Sequence, residues 1–277
     1  MRMLLITGTL AALLGLCCLS GGGASPPVSP VAIAISPPLL RFQTGAGGVT
    51  RFKITVANQG RDPVRVEAMT RDLTLAPDGT PLVGARGEDR WSCAAWIAVE
   101  PGWMDLGPEG SREVNCTLRV PRAVTGGRYA AVLFRAENPR APVGSGLRVD
   151  ARVGTVVMQA VPRTGRPNGE VAAIRATPTA KGADLAVDVR NTGNVDLKAS
   201  GSAVVFDTGG RVVGRVRLEG GTGTVLPDGV RTLAGRWAPL RPAPGDYVVE
   251  ARIVLPGRGI VRGRGAFVAS KPEVKSQ

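Results

Sequence analysis

The chain has 277 residues, enough for one large or two ordinary domains, each able to bury a core. With 38 Gly, 22 Pro and few aromatic residues it suits many short strands joined by turns rather than long helices. There is no histidine, which excludes Ser-His, Cys-His and histidine-rich metal chemistry, and the net charge of +13 comes mostly from arginines scattered between apolar runs.

The N-terminus, MRMLLITGTLAALLGLCCLSGGGASPP, has the layout of a secretory signal: Arg2, an apolar run from Met3 to Leu19, then small residues, with Gly22 and Ala24 preceding a cleavage point. A membrane span is the competing reading, but the core is short and ends in Ser-Gly-Gly-Gly. A lipidated cysteine needs a small residue before it, and Leu16 precedes Cys17 while Cys17 precedes Cys18. Residues 1–24 are therefore expected to be removed, and no later run is long enough to span a bilayer. The expected location is periplasmic, secreted or cell-surface, which removes nucleic acid as the partner for the positive charge. Acidic protein patches or anionic envelope polymers are the sensible targets.

The first strand, VAIAI (Val31–Ile35), stops at Ser36-Pro37-Pro38. The run from Val49 to Val56 reaches Asn58-Gln59-Gly60, where positive φ is expected to turn or bulge the chain before VRVEAMT resumes. APDGTP is a turn with Asp78-Gly79 at its tip. AAWIAVEP, SREVNCTLRVP, GGRYAAVLFRAE and LRVDARVGTVVMQAV complete about seven or eight strands, the spacing of a β-sandwich. Alternation turns Cys93 and Cys116 into one core. An oxidising compartment favours a disulfide over two buried free thiols, and closing a loop of 23 residues is worth about 3 kcal/mol.

After a linker at Pro162–Glu170 the pattern restarts. Val56, Asn58, Gly60 and Val64 find counterparts in Val189, Asn191, Gly193 and Leu197, and Gly127-Arg128-Tyr129 finds one in Gly245-Asp246-Tyr247. A tyrosine there commonly ties its hydroxyl to the preceding corner of an immunoglobulin-like sandwich. The expected organisation is all-β: one sandwich over 28–163, a second over 169–270, and a disordered tail at 271–277.

The stretch ISPPLLRF…GGVTRFKITVANQGRDPVRVEA…WIAVEPGWMDLGPEGSREVNCTLRVPRAVTGGRYAAVLF resembles the N-terminal immunoglobulin-like domain of periplasmic pilus-assembly chaperones. It is at least as similar to the peptidoglycan-binding immunoglobulin-like domain of WxL-interacting proteins. The resemblance covers Val31 to about Ala160, and the second half fits the smaller following sandwich of both groups. It implies fold more strongly than function. In pilus chaperones an edge strand of the first domain completes an unfinished subunit by strand addition. The matching strand here carries Leu147, Val149, Ala151 and Val153, alternating with Arg148, Asp150 and Arg152. Those chaperones also anchor the subunit's terminal carboxylate on a basic pair, whose positions fall near Pro37 and Gly154, with Arg41 or Arg152 as neighbouring substitutes. An ordinary last strand with its apolar side on its own core has the same alternation.

No nucleophile elbow or phosphate loop is present. GRGIVRGRG (Gly257–Gly265) lacks a strand-helix setting and reads as an Arg-studded hairpin, and Asp184 and Asp188 share a face of one strand, as solvated acids do. The expected role is non-enzymatic and cofactor-free: recognition of another envelope or surface protein, such as a pilus-like subunit, through a sheet edge. The alternative is a structural module held on peptidoglycan or another anionic envelope polymer by its arginines.

Overall fold

The computed structural model describes residues 31–139, 150–239 and 243–269. The expected signal (1–24), the tail (271–277) and Leu147, Arg148 and Val149 lie outside the described residues.

The first sandwich has strands β1 (Ile33–Ser36), β2 (Leu39–Phe42), β3 (Val49–Asn58), β4 (Val64–Leu75), β5 (Pro81–Gly84), β6 (Ile97–Glu100), β7 (Trp103–Leu106), β8 (Ser111–Arg119), β9 (Gly127–Glu137) and β10 (Asp150–Ala160). One sheet runs β1-β3-β8-β6, and the other β2-β10-β9-β4-β5 with β7 on β4. Between them Ile54, Val56, Val66, Val114, Leu118, Val132, Phe134 and Val157 are almost fully buried. Each is every second residue of a strand, so burying one face selects the register. Pro37 and Pro38 bring no N–H to a ladder, and there the chain leaves β3 and crosses to pair with β10.

The second sandwich follows with β11 (Gly169–Thr179), β12 (Gly182–Asn191), β13 (Leu197–Lys198), β14 (Ser200–Phe206), β15 (Val212–Leu218), β16 (Thr224–Val225), β17 (Val230–Trp237), β18 (Gly245–Leu255) and β19 (Gly259–Ala269). A β11-β12-β17 sheet packs on a β15-β14-β18-β19 sheet, with β13 and β16 paired beside them. Trp237, Tyr247 and Phe267 cluster in its core, with ring centroids 4.8, 5.3 and 5.8 Å apart. No described helix is long and apolar enough to cross a membrane.

The repeated Asn-x-Gly is a buried hydrogen-bond knot, not the positive-φ bulge its residues suggest. Neither asparagine nor Gly60 or Gly193 has positive φ. Asn58, 1% exposed, accepts from Gly60 N–H (2.9 Å) and donates through Nδ2 to the carbonyls of Asp62 (2.8 Å) and Gly107 (2.9 Å). Asn191, 0% exposed, accepts from Gly193 N–H (2.8 Å) and donates to Val195 O (2.7 Å) and Val225 O (2.8 Å). A third shared mark completes each knot. The main-chain N–H of Asn58 donates to Gly110 O, and that of Asn191 to Gly229 O. These glycines end Gly-Pro-Glu-Gly and Leu-Pro-Asp-Gly turns whose Glu109 (φ 55) and Asp228 (φ 61) sit in the left-handed region.

The two tyrosines diverge. Tyr247 donates to Ala243 O at 2.7 Å, the corner its position implies. Tyr129 donates instead to Asp196 Oδ1 of the second sandwich at 3.3 Å.

The expected Cys93–Cys116 disulfide is not formed; both thiols are free and buried in the first core. The stretch read as one strand is broken by a 3-10 turn at Ala94–Trp96. Cys93 therefore lies before that turn, its N–H bonded to Tyr129 O of one sheet, while Cys116 sits on β8 of the other between Phe52 and Val99. Burial pushes both thiols up to about 12.

Two outcomes follow from these contacts. Asn58→Asp and Asn191→Asp keep shape but lose the buried donors, so each is expected to lower its domain's unfolding free energy by about 2–4 kcal/mol in urea titrations. A chain lacking residues 1–24 should show two titratable thiols when denatured without reductant and neither when native, since only the thiolate reacts.

Candidate partner-binding edge

Strand β10 pairs with β9 along its whole length, Asp150 opposite Glu137 through Ala160 opposite Gly127. On its other side β2 covers only Val156–Gln159, in parallel. Main-chain groups of a strand residue in an antiparallel ladder point to one side and alternate along the chain. Val156 N–H donates to Pro38 O at 2.9 Å, so Gly154 and Arg152 direct theirs the same way, beyond the start of β2. No described strand pairs there. The Thr155 hydroxyl donates to Pro37 O at 2.8 Å and marks where coverage ends.

Of the residues expected on this edge, Ala151 and Val153 pack against the first core, so their alternation serves their own sandwich. Arg152 is exposed and shares the Asp150 carboxylate with Arg135, both nitrogens at 3.0 Å. Hydrogen bonding from Arg152, against partial desolvation and with help from Arg135, holds that carboxyl below its usual range.

Arg41 and Arg152 do not form a basic pair. Arg41 is in register with Met158, six residues from Arg152 along β10, which is about 20 Å of strand. Its guanidinium is already bonded to Asp196 Oδ2 at 3.0 Å. Pro37 and Gly154 offer only main chain. Asp184 and Asp188 are likewise engaged, by Arg236 (2.6 Å) and by Arg175 Nη2 (2.7 Å) with Thr232 (2.8 Å). The Gly257–Gly265 stretch lies in the β18–β19 hairpin, where Gly263 and Gly265 let β19 pack on Val171 and Ile174.

The residues that sequence reasoning missed form the joint between the sandwiches. Leu73, Tyr129 and Met158 bury themselves against Leu226, with Trp91 alongside. Asn194 O accepts from Gly127 N–H at 2.7 Å, an approach that a side chain on Gly126 (φ 75) would block at 2.4 Å. Thr232 N–H donates to Pro77 O. Asp228 accepts from Trp91 Nε1 (2.6 Å) and Arg90 Nε (2.9 Å), and Trp91 lies between Arg90 and Arg128, each 5.0 Å from its ring. The Trp91 indole, against partial burial and assisted by Arg90, holds the Asp228 carboxyl low. Burial first, then the Asp196 charge, pushes the Tyr129 hydroxyl up, so it stays a donor. The expected linker is part of this joint: Arg166 N–H donates to Asn194 Oδ1 at 2.6 Å and Asn194 Nδ2 to Thr164 O at 3.1 Å. The signal available in sequence was the second turn, Leu-Pro-Asp-Gly, which matches Gly-Pro-Glu-Gly.

The loop that carries Arg90 and Trp91 hangs on a buried carboxylate. Asp72, 3% exposed, accepts from the N–H groups of Gly87 (2.7 Å), Glu88 (2.8 Å) and Asp89 (2.8 Å) and from the Ser92 hydroxyl. Burial pushes its carboxyl up, but these donors, led by Asp89 N–H, more than offset it and leave it below the usual range.

No protein-family model matches the sequence, and no curated protein matches it. Among solved structures, the chain is similar to a chaperone–tip adhesin complex of CFA/I fimbriae biogenesis (11% identity, 87% of this chain, 100% of that one, TM-score 0.46). It is similar also to the class 5 fimbriae chaperone CfaA (12%, 86% and 99%, 0.44) and to the chain of a Salmonella enterica SafA pilin–SafB chaperone complex (15%, 86% and 96%, 0.41).

Asp72 sets a pH dependence. Its folded pKa lies below the unfolded one of about 4, so its stabilisation is present above pH 4 and fades as pH falls through the folded value. Asp72→Asn should cost about 2–3 kcal/mol at pH 7, and the gap from wild type should narrow below about pH 4 in denaturant titrations across pH. A gap independent of pH would contradict this role.

Proposed function

We propose that this is a non-enzymatic, extracytoplasmic binding protein that recognises another envelope or surface protein by strand addition at the open half of β10, in the manner of an assembly chaperone or adaptor. The observation that carries the reading is the unpaired main chain at Arg152 and Gly154, on a strand that β9 pairs along its whole length and β2 covers only from Val156 to Gln159. An open edge is a template for an incoming extended segment, and here it lies beside an apolar core. The sequence resemblance to pilus-assembly chaperones supports the same reading, and a pilus-like subunit is the partner it suggests. The signal-like N-terminus supports a periplasmic or surface location.

The resemblance does not extend to the carboxylate anchor. Arg41 is spent on Asp196, inside the joint. Recognition would then rest on main-chain pairing and on neighbouring side chains instead of on a buried terminal carboxylate.

Attachment to a wall polymer by scattered arginines finds less support. Nine arginines pair with surface carboxylates among the described residues, which reduces but does not exhaust the charge open to a polyanion.

Arg152→Pro removes one outward N–H while leaving the β9 ladder, whose donors lie on alternate residues, intact. Crosslinking in intact cells should recover a partner with the wild type and lose it with this variant, while thermal unfolding shifts by no more than a few degrees. Capture that persists in Arg152→Pro overturns strand addition. Capture that collapses at moderate ionic strength overturns it too, because main-chain pairing is weakly screened.

A further inference from the structure

The outer face of the β10-β9-β4 sheet is divided into cross-strand rows. Arg152, Arg135 and Glu67 are neighbours in one row, Gly154, Leu133 and Met69 in the next, and Val156, Ala131 and Arg71 in the third. Further along, Met158, Tyr129 and Leu73 are covered by the second sandwich, and Val156 at the end of the third row packs against that cluster, while the rest of the first three rows lies outside it. Glu67, Met69, Arg71, Leu133, Arg135 and Arg152 of these rows floor a groove of about 690 Å³, walled by Val83, Gly84, Ala85 and Arg86 beyond β4.

Charge in this groove is unevenly satisfied. The Arg152 and Arg135 guanidiniums share Asp150, and Glu67 stands beside Arg135, so that row is close to neutral. Among the described residues Arg71 bonds only a carbonyl, that of Thr70 at 3.3 Å, and Arg86 only the carbonyls of Ala94 and Ala95 at 3.2 and 3.4 Å. Neither meets a carboxylate among the described residues. The surplus positive charge is therefore at one end, and an apolar floor, Met69 and Leu133 over the hollow at Gly154, adjoins it.

Rows two residues apart along a strand are separated by about 6.7 Å. That is also the spacing of same-face side chains in an extended peptide. We infer that this groove binds an extended acidic segment of a partner protein, with an apolar side chain on Met69 and Leu133 and, two residues along, a carboxylate on Arg71 and Arg86. Two guanidiniums converging on one carboxylate form charge-assisted bonds, stronger than neutral ones. A polyanion fits worse, because the middle row has no charge for it and the first row is already neutralised. The site is on the sheet face, so it does not depend on strand addition at β10, although Arg152 borders both.

The test uses the chain lacking residues 1–24 and a fluorescein-labelled peptide, Ser-Leu-Ser-Glu-Ser-Leu-Ser-Glu-Ser, read by fluorescence anisotropy. Saturable binding is expected, weakened about tenfold or more by Arg71→Glu with Arg86→Glu, and by at least about fivefold when the peptide carries Gln for Glu or Ser for Leu. Arg71→Gln, a milder change that keeps the strand intact, should show the same direction. The edge mechanism is read separately, by crosslinking with Arg152→Pro, and the peptide assay uses no variant on β10, so a failure of the edge mechanism and a failure of the groove give different patterns. The proposal is overturned by absence of saturable binding at millimolar peptide, by equal binding of the Gln peptide, or by inorganic polyphosphate competing as well as the peptide through the same two arginines.

Discussion

One buried side chain shapes the two loops through which the second sandwich meets the first. Asn191 donates to Val195 O and Val225 O, accepts from Gly193 N–H, and its own main chain exchanges bonds with Gly229 O and Asp228 N–H. It thereby clamps two loops of the second sandwich. One of those loops carries Asn194 and Asp196, the other Leu226 and Asp228, and these four residues make most of the joint with the first sandwich. A primary amide is suited to this task because it satisfies donors and acceptors at once without bringing a charge into the interior.

The first sandwich contains the same knot at Asn58, yet its Pro-Glu-Gly turn is exposed and has no hydrogen bond to the second sandwich among the described residues. The repeat therefore gives each half a rigid loop, and the joint uses the second. Asp228, in the strained position of that turn, takes Trp91 and Arg90, while Tyr129 gives up the corner bond that Tyr247 keeps and reaches Asp196. Once the joint is made, it divides the outer face of the first sandwich. The Met158, Tyr129 and Leu73 end is buried, the Met69 and Leu133 middle is left as a groove, and the open half of β10 is left as an edge. Where a partner can bind follows from which rows the second sandwich covers.

Much of the architecture was legible. Alternation every second residue places Ile54, Val56, Val114 and Leu118 inward with little ambiguity, because a slip of one residue would expose them all. Two marks repeated in order, Asn-x-Gly and Gly-x-Tyr, correctly imply two sandwiches. Their chemistry was less legible. Asn and Gly together suggest positive φ, but burial makes the amide more valuable as a cross-link than as a turn former. Cys93 and Cys116 do share a core, as alternation implies, yet both thiols are free, and a 3-10 turn interrupts the stretch in which alternation placed Cys93. The candidate edge was readable as a strand, whereas its open half became visible only with β2 in place.

By itself the sequence determined the strands, their inward faces, the repeated pattern and the exclusion of histidine chemistry, because these depend on local periodicity and composition. Only the tertiary structure decided which arginines are neutralised, which tyrosine crosses to the other domain, and which part of β10 lacks a neighbour. Several of those outcomes depend on distant partners, Tyr129 with Asp196 at 67 residues, Thr155 with Pro37 at 118 and Arg41 with Asp196 at 155, and no local pattern encodes such distances.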